Sequence, residues 1–276
     1  MLPDELSIGD VVHATGLGEA TLRAWERRYG FPEPRREPSG HRRYSQADVE
    51  RLLRVIEERQ RGVELPAAIE RARGAPLGVP SLFARLRASR PELHPMLVRK
   101  SMLVKLSHAL EDESAARAER SVLIGSFQRE RFYRQAQQRW RALATGAELA
   151  VVFADFERTR RGGRAPAEVR VDRSHPVARE WGVICVAAEH SACLVAWEPP
   201  GRGPAKDLER EFELLLSFDP SAVRDAADAG VAVCASAAPG LAEELRARLA
   251  DTPAPRAESQ LRLAGSVTAR LLATLG

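Results

Sequence analysis

SIGDVVHATGLGEATLRAWERRYG, residues 7–30, decides how the front of this chain folds. Ser7 stands three residues ahead of Asp10, the spacing at which a hydroxyl and a carboxylate cap the first turn of a helix reciprocally. Ile8, Val11 and Val12 follow on one helical face, and Gly16 stops the run. A second helix extends from about Gly18 to Tyr29, with Leu22 and Trp25 turned inward and Glu19, Ala20 and Arg23 sharing the outward face. The join Thr15-Gly16-Leu17-Gly18 is as short as the connection of a helix-turn-helix unit.

Working outward, residues 30–44 change character. Gly30, Pro32, Pro34, Pro38 and Gly40 break any helix, arginines alternate with them, and the stretch closes on His41-Arg42-Arg43-Tyr44. This pattern predicts a two-stranded basic wing. Ser45 then caps a third helix with Asp48 three residues on. Val49, Leu52, Leu53 and Ile56 form its apolar stripe, and Gly62 ends it near residue 61. Pro66 opens a short fourth helix through Arg73. GAPLGVP, residues 74–80, has the composition of a linker.

Charge is concentrated in the same place. Residues 21–43 hold seven Arg against three Glu, a net +4 that equals the formal charge of the whole 276-residue chain. A basic patch on an otherwise neutral body is the footprint of a phosphate-backbone binder. The outward half of the second helix has the shape that enters a major groove. Arg23 is the candidate for bidentate guanine or phosphate contact, and the wing arginines would grip adjacent phosphates.

Several elements together, SIGDVVHATGLGEATLRAWERRYG, the loop with SGHRRYS and then DVERLLRVIEERQRGVELPAAI, resemble a MerR-family winged helix-turn-helix domain. The LRAWERRYG form resembles the branch with a Trp-Glu-x-Arg-Tyr-Gly signature. The resemblance implies DNA contact by Arg23 and Trp25 on the second helix, and by Arg42, Arg43 and Tyr44 in the first wing. It also implies a second wing opened by Arg61 and Gly62. The expected DNA-binding set is Glu19, Ala20, Arg23, Trp25, Arg27, Arg28, Tyr29, Arg35, Arg36, Arg42, Arg43, Tyr44 and Arg61. Trp25 and Tyr44 also have a core reading, because an aromatic ring buries readily while its polar tip stays available. Arginine has no comparable core reading. Family members typically continue into one long helix that pairs as an antiparallel coiled coil, whereas here GAPLGVP and a helix with Pro91 and Pro95 follow.

The rest of the chain reads as α+β. Residues 81–146 look mostly helical, with one stripe at Leu97, Met102, Leu103, Leu106 and Leu110. A later helical stretch carries Val122, Ile124, Phe127, Phe132, Tyr133 and Trp140, broken near Gly125. Beyond it, LAVVFADF (149–156) and VRV (169–171) are expected strands. WGVICVAA (181–188) and ACLVAWE (192–198) are expected to form a hairpin around Glu189-His190-Ser191. Pro199–Pro204 reads as a loop. Helices are expected at 205–217 and 220–229, a last strand at 231–237, and two closing helices near 239–250 and 255–275. The organisation is thus a reader at 1–74, a linker and connecting helix at 75–95, and a mixed helix/sheet domain at 96–276 with an antiparallel or mixed sheet.

LSHALEDE (106–113), LIGSFQRERFYRQAQQRWRALA (123–144), VVFADF, AREWGVICV (178–186), CLVAWEPPG (193–201) and FELLLSFDPSAVRDAA (212–227) make this second part resemble a DICT domain. That resemblance implies a signal-sensing role. No catalytic constellation accompanies it. Glu111, Asp112 and Glu113 are adjacent and so point to different helix faces, which reads as a solvated helix end. His175, His190, Cys185 and Cys193 show no close metal-ligand pair. Cys185 and Cys193, on the two arms of the hairpin, are placed where they might face one another, but apolar neighbours argue against a reactive thiol. Phe127, Phe132, Tyr133, Trp140, Trp181 and Trp197 read as core, with a ligand pocket as the alternative.

The expected protein is a sequence-specific double-stranded DNA-binding transcription regulator, not an enzyme, with no cofactor. Its second domain answers to a small-molecule or protein signal. The alternative is a DNA-tethered scaffold that recruits another regulator or RNA polymerase. A homodimer is expected through residues 81–113 or the final helix. With acids at the N-terminus and no apolar run of spanning length, no membrane partner is expected, and the location is the cytoplasm, at the nucleoid.

Overall fold

The computed structural model describes residues 6–37, 40–60, 63–73, 81–117, 120–161, 163–173, 175–199 and 206–274. The chain divides into two compact units, Met1–Gly78 and Val79–Gly276.

In the first unit α1 (Ile8–Thr15) and α2 (Glu19–Tyr29) form the helix pair. The Ser7/Asp10 capping box is present, with the Ser7 amide on Asp10 Oδ2 at 2.8 Å. Gly16, in the left-handed region at φ 71°, lets the chain turn into α2 without a Cβ clash. The wing consists of β1 (Arg35–Arg36) and β2 (Arg42–Arg43), antiparallel, with Arg36 opposite Arg42. Leu6 and Tyr44 exchange backbone hydrogen bonds of 2.7 and 2.9 Å, which lashes the chain ahead of α1 to the end of the wing. α3 (Gln46–Gln60) starts on a second capping box, Ser45 with Asp48. α4 (Leu65–Arg73) packs against α3. Val11, Leu22, Phe31, Tyr44, Val49, Leu52, Val55 and Ile69 make the core. Leu53, expected on the buried stripe of α3, faces outward instead, and Val55 takes its place. Arg61 and Gly62 lie outside the described residues, as does the 74–80 segment.

The second unit is a three-layer arrangement around a seven-stranded mixed sheet. Its strands are β3 (Met96–Arg99), β4 (Val122–Ser126), β5 (Leu149–Ala154), β6 (Ala167–Arg170), β7 (Glu180–Val186), β8 (Ser191–Trp197) and β9 (Glu211–Ser217). Their spatial order is β3-β9-β8-β7-β4-β5-β6. The β4–β5 and β5–β6 pairs are parallel and the others antiparallel. α5 (Leu82–Ser89), α8 (Pro220–Ala237) and α9 (Pro239–Asp251) contribute to the core on one face, with Ile124, Val151, Ile184 and Val195. α6 (Lys100–Arg117), α7 (Glu130–Gly146) and α10 (Ala257–Ala273) contribute to the core on the other, with Leu123, Val152, Cys185 and Leu194. Successive strand residues thus enter opposite cores.

This two-sided burial explains where the sequence reading departs from the structure. A strand covered on both faces is a continuous apolar run, which periodicity does not separate from a buried helix. Val122–Ser126 is a central strand and not part of a helix. Met96–Arg99 is an edge strand, so Leu97 leaves the expected helical stripe. Glu211–Ser217, within the expected helix at 205–217, is β9. Conversely, residues 231–237 continue α8. There Gly230 lies against Ile124, where an added Cβ would come within 2.9 Å of its Cδ1, so a helix of small residues can sit close to the sheet. The expected strands at 149–156 and 169–171, the hairpin and the two closing helices are present within a few residues of their expected bounds. The stretch read as a connector, 75–95, holds α5, whose Leu82, Phe83 and Leu86 belong to the core of the second unit.

Candidate nucleic-acid interface

The short turn and the αL caps aim α2 so that its inner residues, Leu22 above all, complete the core. Its opposite face is then left to solvent. Glu19, Ala20, Arg23, Arg27 and Arg28 are exposed. Arg23 pairs with Glu19 one turn back, and the Arg28 guanidinium lies 5.3 Å from the centre of the half-buried Tyr29 ring. Trp25 is half-buried against the core. Tyr44 is different. At 1% exposure it is core, and its ring is not presented to a duplex.

Glu26 joins the helix to the wing. Its Oε2 accepts Arg42 Nε at 2.7 Å, and its Oε1 accepts Arg42 Nη2 at 3.2 Å and Arg36 Nη2 at 3.0 Å. One carboxylate therefore holds both wing strands to α2. Burial by itself raises the Glu26 pKa, but the hydrogen bonds and charges of Arg42, then Arg36, outweigh it and hold the carboxyl below its ordinary range. Arg43 pairs with Glu37 at 3.0 Å across the wing turn. Arg35 and Arg36 are exposed, while Arg42 and Arg43 are half-buried.

Two residues of this arrangement escaped the sequence reading. In the sequence Glu26 stands only as an offset to the positive charge. The available signal was a single acid between Trp25 and Arg27 on a basic helix. Arg73, at the end of α4, donates to the carbonyls of Tyr29 and, at 2.8 Å, Gly30. It thereby satisfies the open C-terminus of α2, a favourable place for a cation. Beside the wing a cleft of about 610 Å³ is lined by Arg35, Arg43, Arg51 and Arg73 with Glu33, Asp48 and the Phe31 and Tyr44 side.

In the second unit the chemical candidates resolve into packing. Glu111 and Glu113 are buried and not solvated as expected. Glu111 Oε1 accepts the Trp140 indole N–H at 3.1 Å, with Arg139 Nε 3.4 Å from Oε2. Burial pushes its pKa up to about 7 against the pull of Arg139 and Trp140. Glu113 takes Arg117 at 2.9 Å and Arg270 at 2.7 Å, tying α6 to α10. Cys185 and Cys193 enter opposite cores and do not face one another. Cys185 Sγ lies 3.4 Å from His190 Nε2, and His190 is buried despite its place in the hairpin turn. No group of three or more His, Cys, Asp or Glu among the described residues is placed to hold a metal ion. Phe127, Tyr133, Trp140 and Phe156 form an edge-to-face cluster within the core. Trp181 gives its N–H to Ser107 at 2.8 Å, and Trp197 stacks on Phe83. Among the described residues no helix is long and apolar enough to cross a membrane.

The first unit is a helix-turn-helix with a braced basic wing, and the second is an α/β/α layer structure. In keeping with this, residues 6–74 match the MerR HTH family regulatory protein family. Residues 80–199 match DICT, described as a sensory domain in diguanylate cyclases and two-component system. The chain carries a MerR-family helix-turn-helix domain and a DICT sensory domain. Among curated relatives, the HTH-type transcriptional repressor CarA of Myxococcus xanthus is 45% identical over 75 residues, which is 26% of this chain and 25% of the relative. The HTH-type transcriptional regulator MlrA of Escherichia coli (strain K12) is 37% identical over 59 residues, 21% of this chain and 24% of the relative. The same protein of Salmonella typhimurium (strain LT2) matches equally. The matched segment spans about a quarter of the length of these relatives.

Proposed function

We propose that this chain is a sequence-specific double-stranded DNA-binding transcription regulator of the cytoplasm whose DICT unit answers to a signal, a small molecule or a protein. The observation that carries the reading is the joint presentation of one helix face and one wing. Arg23, Arg27 and Arg28 stand on the open side of α2, and Glu26 locks the wing bearing Arg35 and Arg36 to that same helix. The front of α2 would read bases in the major groove while the wing holds phosphates, which separates specificity from affinity. The names of the relatives, a transcriptional repressor and a transcriptional regulator, support the same direction.

The chain acts as a homodimer in this reading, through the second unit. Met96 and Leu97 on the edge strand β3, and Leu261 and Leu272 on α10, are large exposed apolar side chains there. Light scattering of the full chain, before and after Leu97→Glu, tests it. A chain that is monomeric throughout removes the dimer from the proposal.

The function itself is tested by selecting duplexes from a random pool with the full chain and titrating the winner against rising salt. Arg23→Ala is expected to change the preferred sequence. Arg35→Ala is expected to weaken all duplexes alike and to flatten the salt dependence by about one unit of slope. Failure to enrich any sequence, with no salt-dependent binding, would remove the DNA-binding reading.

A further inference from the structure

Residues 157–173 hold Arg158, Arg160, Arg161, Arg164, Arg170 and Arg173 against Glu157, Glu168 and Asp172, a net +3. Added to the +4 of residues 21–43, this makes +7 in a chain whose formal charge is +4, so the remainder is acidic by three. Positive charge is therefore gathered in two places, one in each unit. The first belongs to the reader. The second has no part in the function described above.

Backbone bonding collects the second group at one margin of the sheet. β6 is an edge strand with β5 on its inner side. The chain that leaves β5 returns along the other side. There Arg160 and Glu168 exchange backbone hydrogen bonds of 2.8 and 2.9 Å, and Thr159 Oγ1 accepts the Arg170 amide at 3.0 Å. The returning segment covers part of the open edge of β6 and brings residues 158–161 against Arg170. All six arginines are exposed.

The acids within reach engage only some of them. Arg161 pairs with Glu244 of α9 at 3.1 Å, Arg173 with Asp155 at 2.8 Å, and Arg160 lies 3.8 Å from Glu157. Glu168 is taken by Arg134 of α7. Arg158, Arg164 and Arg170 pair with no acid among the described residues. An ordinary solvated surface intersperses both signs of charge. Three guanidinium groups left without counter-charge at one margin repel one another, a cost to the folded state that an anionic partner removes. Their planar forks suit phosphate oxygens.

Covalent continuity selects the occupant. The same chain carries the reader, so a reader on DNA presents the neighbouring phosphates to the second unit at the high effective concentration of linked modules. We propose that the β6 margin, through Arg158, Arg164 and Arg170, is a second contact for the phosphate backbone of the duplex that the reader holds. The inference rests on the DNA-binding reading and extends it from one unit to two. Such a contact adds affinity and salt dependence without reading bases.

The test uses the full chain and a duplex bearing its selected sequence with extended flanks, titrated by anisotropy over a salt series. Arg158→Ala, Arg164→Ala and Arg170→Ala combined are expected to lower the slope of log affinity against log salt by about 2–3. Between roughly 50 and 200 mM salt the wild type then loses about 40-fold more affinity than the variant. The selected sequence is expected to stay the same. Arg158→Lys, Arg164→Lys and Arg170→Lys combined keep the charge and are expected to keep the wild-type slope. Exposed positions of this kind leave folding nearly unchanged, which thermal melting of each variant checks. Should the triple Ala chain fail to fold, Arg164→Ala alone decides, with an expected loss of about 0.9 in slope. An unchanged slope, or Lys substitutions that lose as much as Ala, would overturn the second contact. If Arg23→Ala and Arg35→Ala act as expected while the triple variant is silent, the reader stands and the β6 contact alone falls. If the wild type selects no duplex, both fall. Binding of the wild type but not the triple Ala variant to phosphatidylglycerol vesicles, with the DNA slope unchanged, would assign this margin to a lipid surface and overturn the proposal.

Discussion

Arg42→Ala separates a brace from a phosphate contact. Arg42 makes two charge-assisted hydrogen bonds to Glu26, at 2.7 and 3.2 Å, with both side chains mostly shielded, 24% and 16% exposed. Hydrogen bonds to charged groups contribute about 1.5–3 kcal/mol, and exposed ion pairs less than about 1. This half-shielded pair falls between them, at about 1–2 kcal/mol. Glu26 keeps Arg36 at 3.0 Å, so the loss is partial and the reader still folds. The assay has two arms. Urea unfolding of the full chain, in a double-mutant cycle with Glu26→Gln, is expected to give a coupling of about 1–2 kcal/mol. Anisotropy titrations of a labelled duplex over a salt series are expected to keep nearly the wild-type slope, because this guanidinium is already committed within the protein. A phosphate contact would instead remove about 0.9 from the slope. A slope reduced by that amount, together with an unchanged unfolding midpoint, would refute the brace and put Arg42 on the duplex.

Gly125→Ala sets a methyl carbon within 2.5 Å of Trp140 Cη2 in the middle of the sheet, so differential scanning calorimetry should show the second unit destabilised by about 1–3 kcal/mol. Ser45→Ala removes the cap on the Asp48 amide at 3.1 Å and is expected to cost the first unit about 1 kcal/mol in the same experiment. Glu111, raised by burial from 4.5 to about 7, makes the folded state favour the neutral acid. Stability is therefore lost as pH rises through about 7. Glu111→Gln should remove this slope in melting curves taken from about pH 5 to pH 8, and parallel curves would contradict it. Burial pushes the Cys193 thiol up to about 12, so timed alkylation followed by mass spectrometry should find it far slower in the native chain than in urea.

The reader was legible because its information is local. Capping boxes at Ser7 and Ser45, the Gly16 stop and the apolar spacing of Val11, Leu22 and Leu52 each act within one or two turns of backbone. The second unit was legible only where a strand was bounded by turns, as in the β7–β8 hairpin. It was misread at short apolar-rich runs whose period does not separate strand from helix. Val122–Ser126 and Glu211–Ser217 are strands because helices cover both of their faces, and no pattern inside either run records that cover. The Ala- and Gly-containing stretch at 229–237 continues α8, and its Gly230 lies against Ile124, a neighbour more than a hundred residues away in sequence.

By itself, then, the sequence determined that a basic helix-turn-helix precedes a mixed α+β body, and which arginines sit on the open side of α2. Tertiary structure alone decided how the arginines beyond α2 are used. Glu26 engages Arg42 sixteen residues further on, Arg73 closes a helix end more than forty residues before it, and Tyr44 disappears into the core. The same holds for Glu180, which meets the start of α5 about a hundred residues away. Propensity, capping and charge density are properties of neighbours in the chain. Ionic partnership and burial are properties of neighbours in space, and these exist only once the layers have packed.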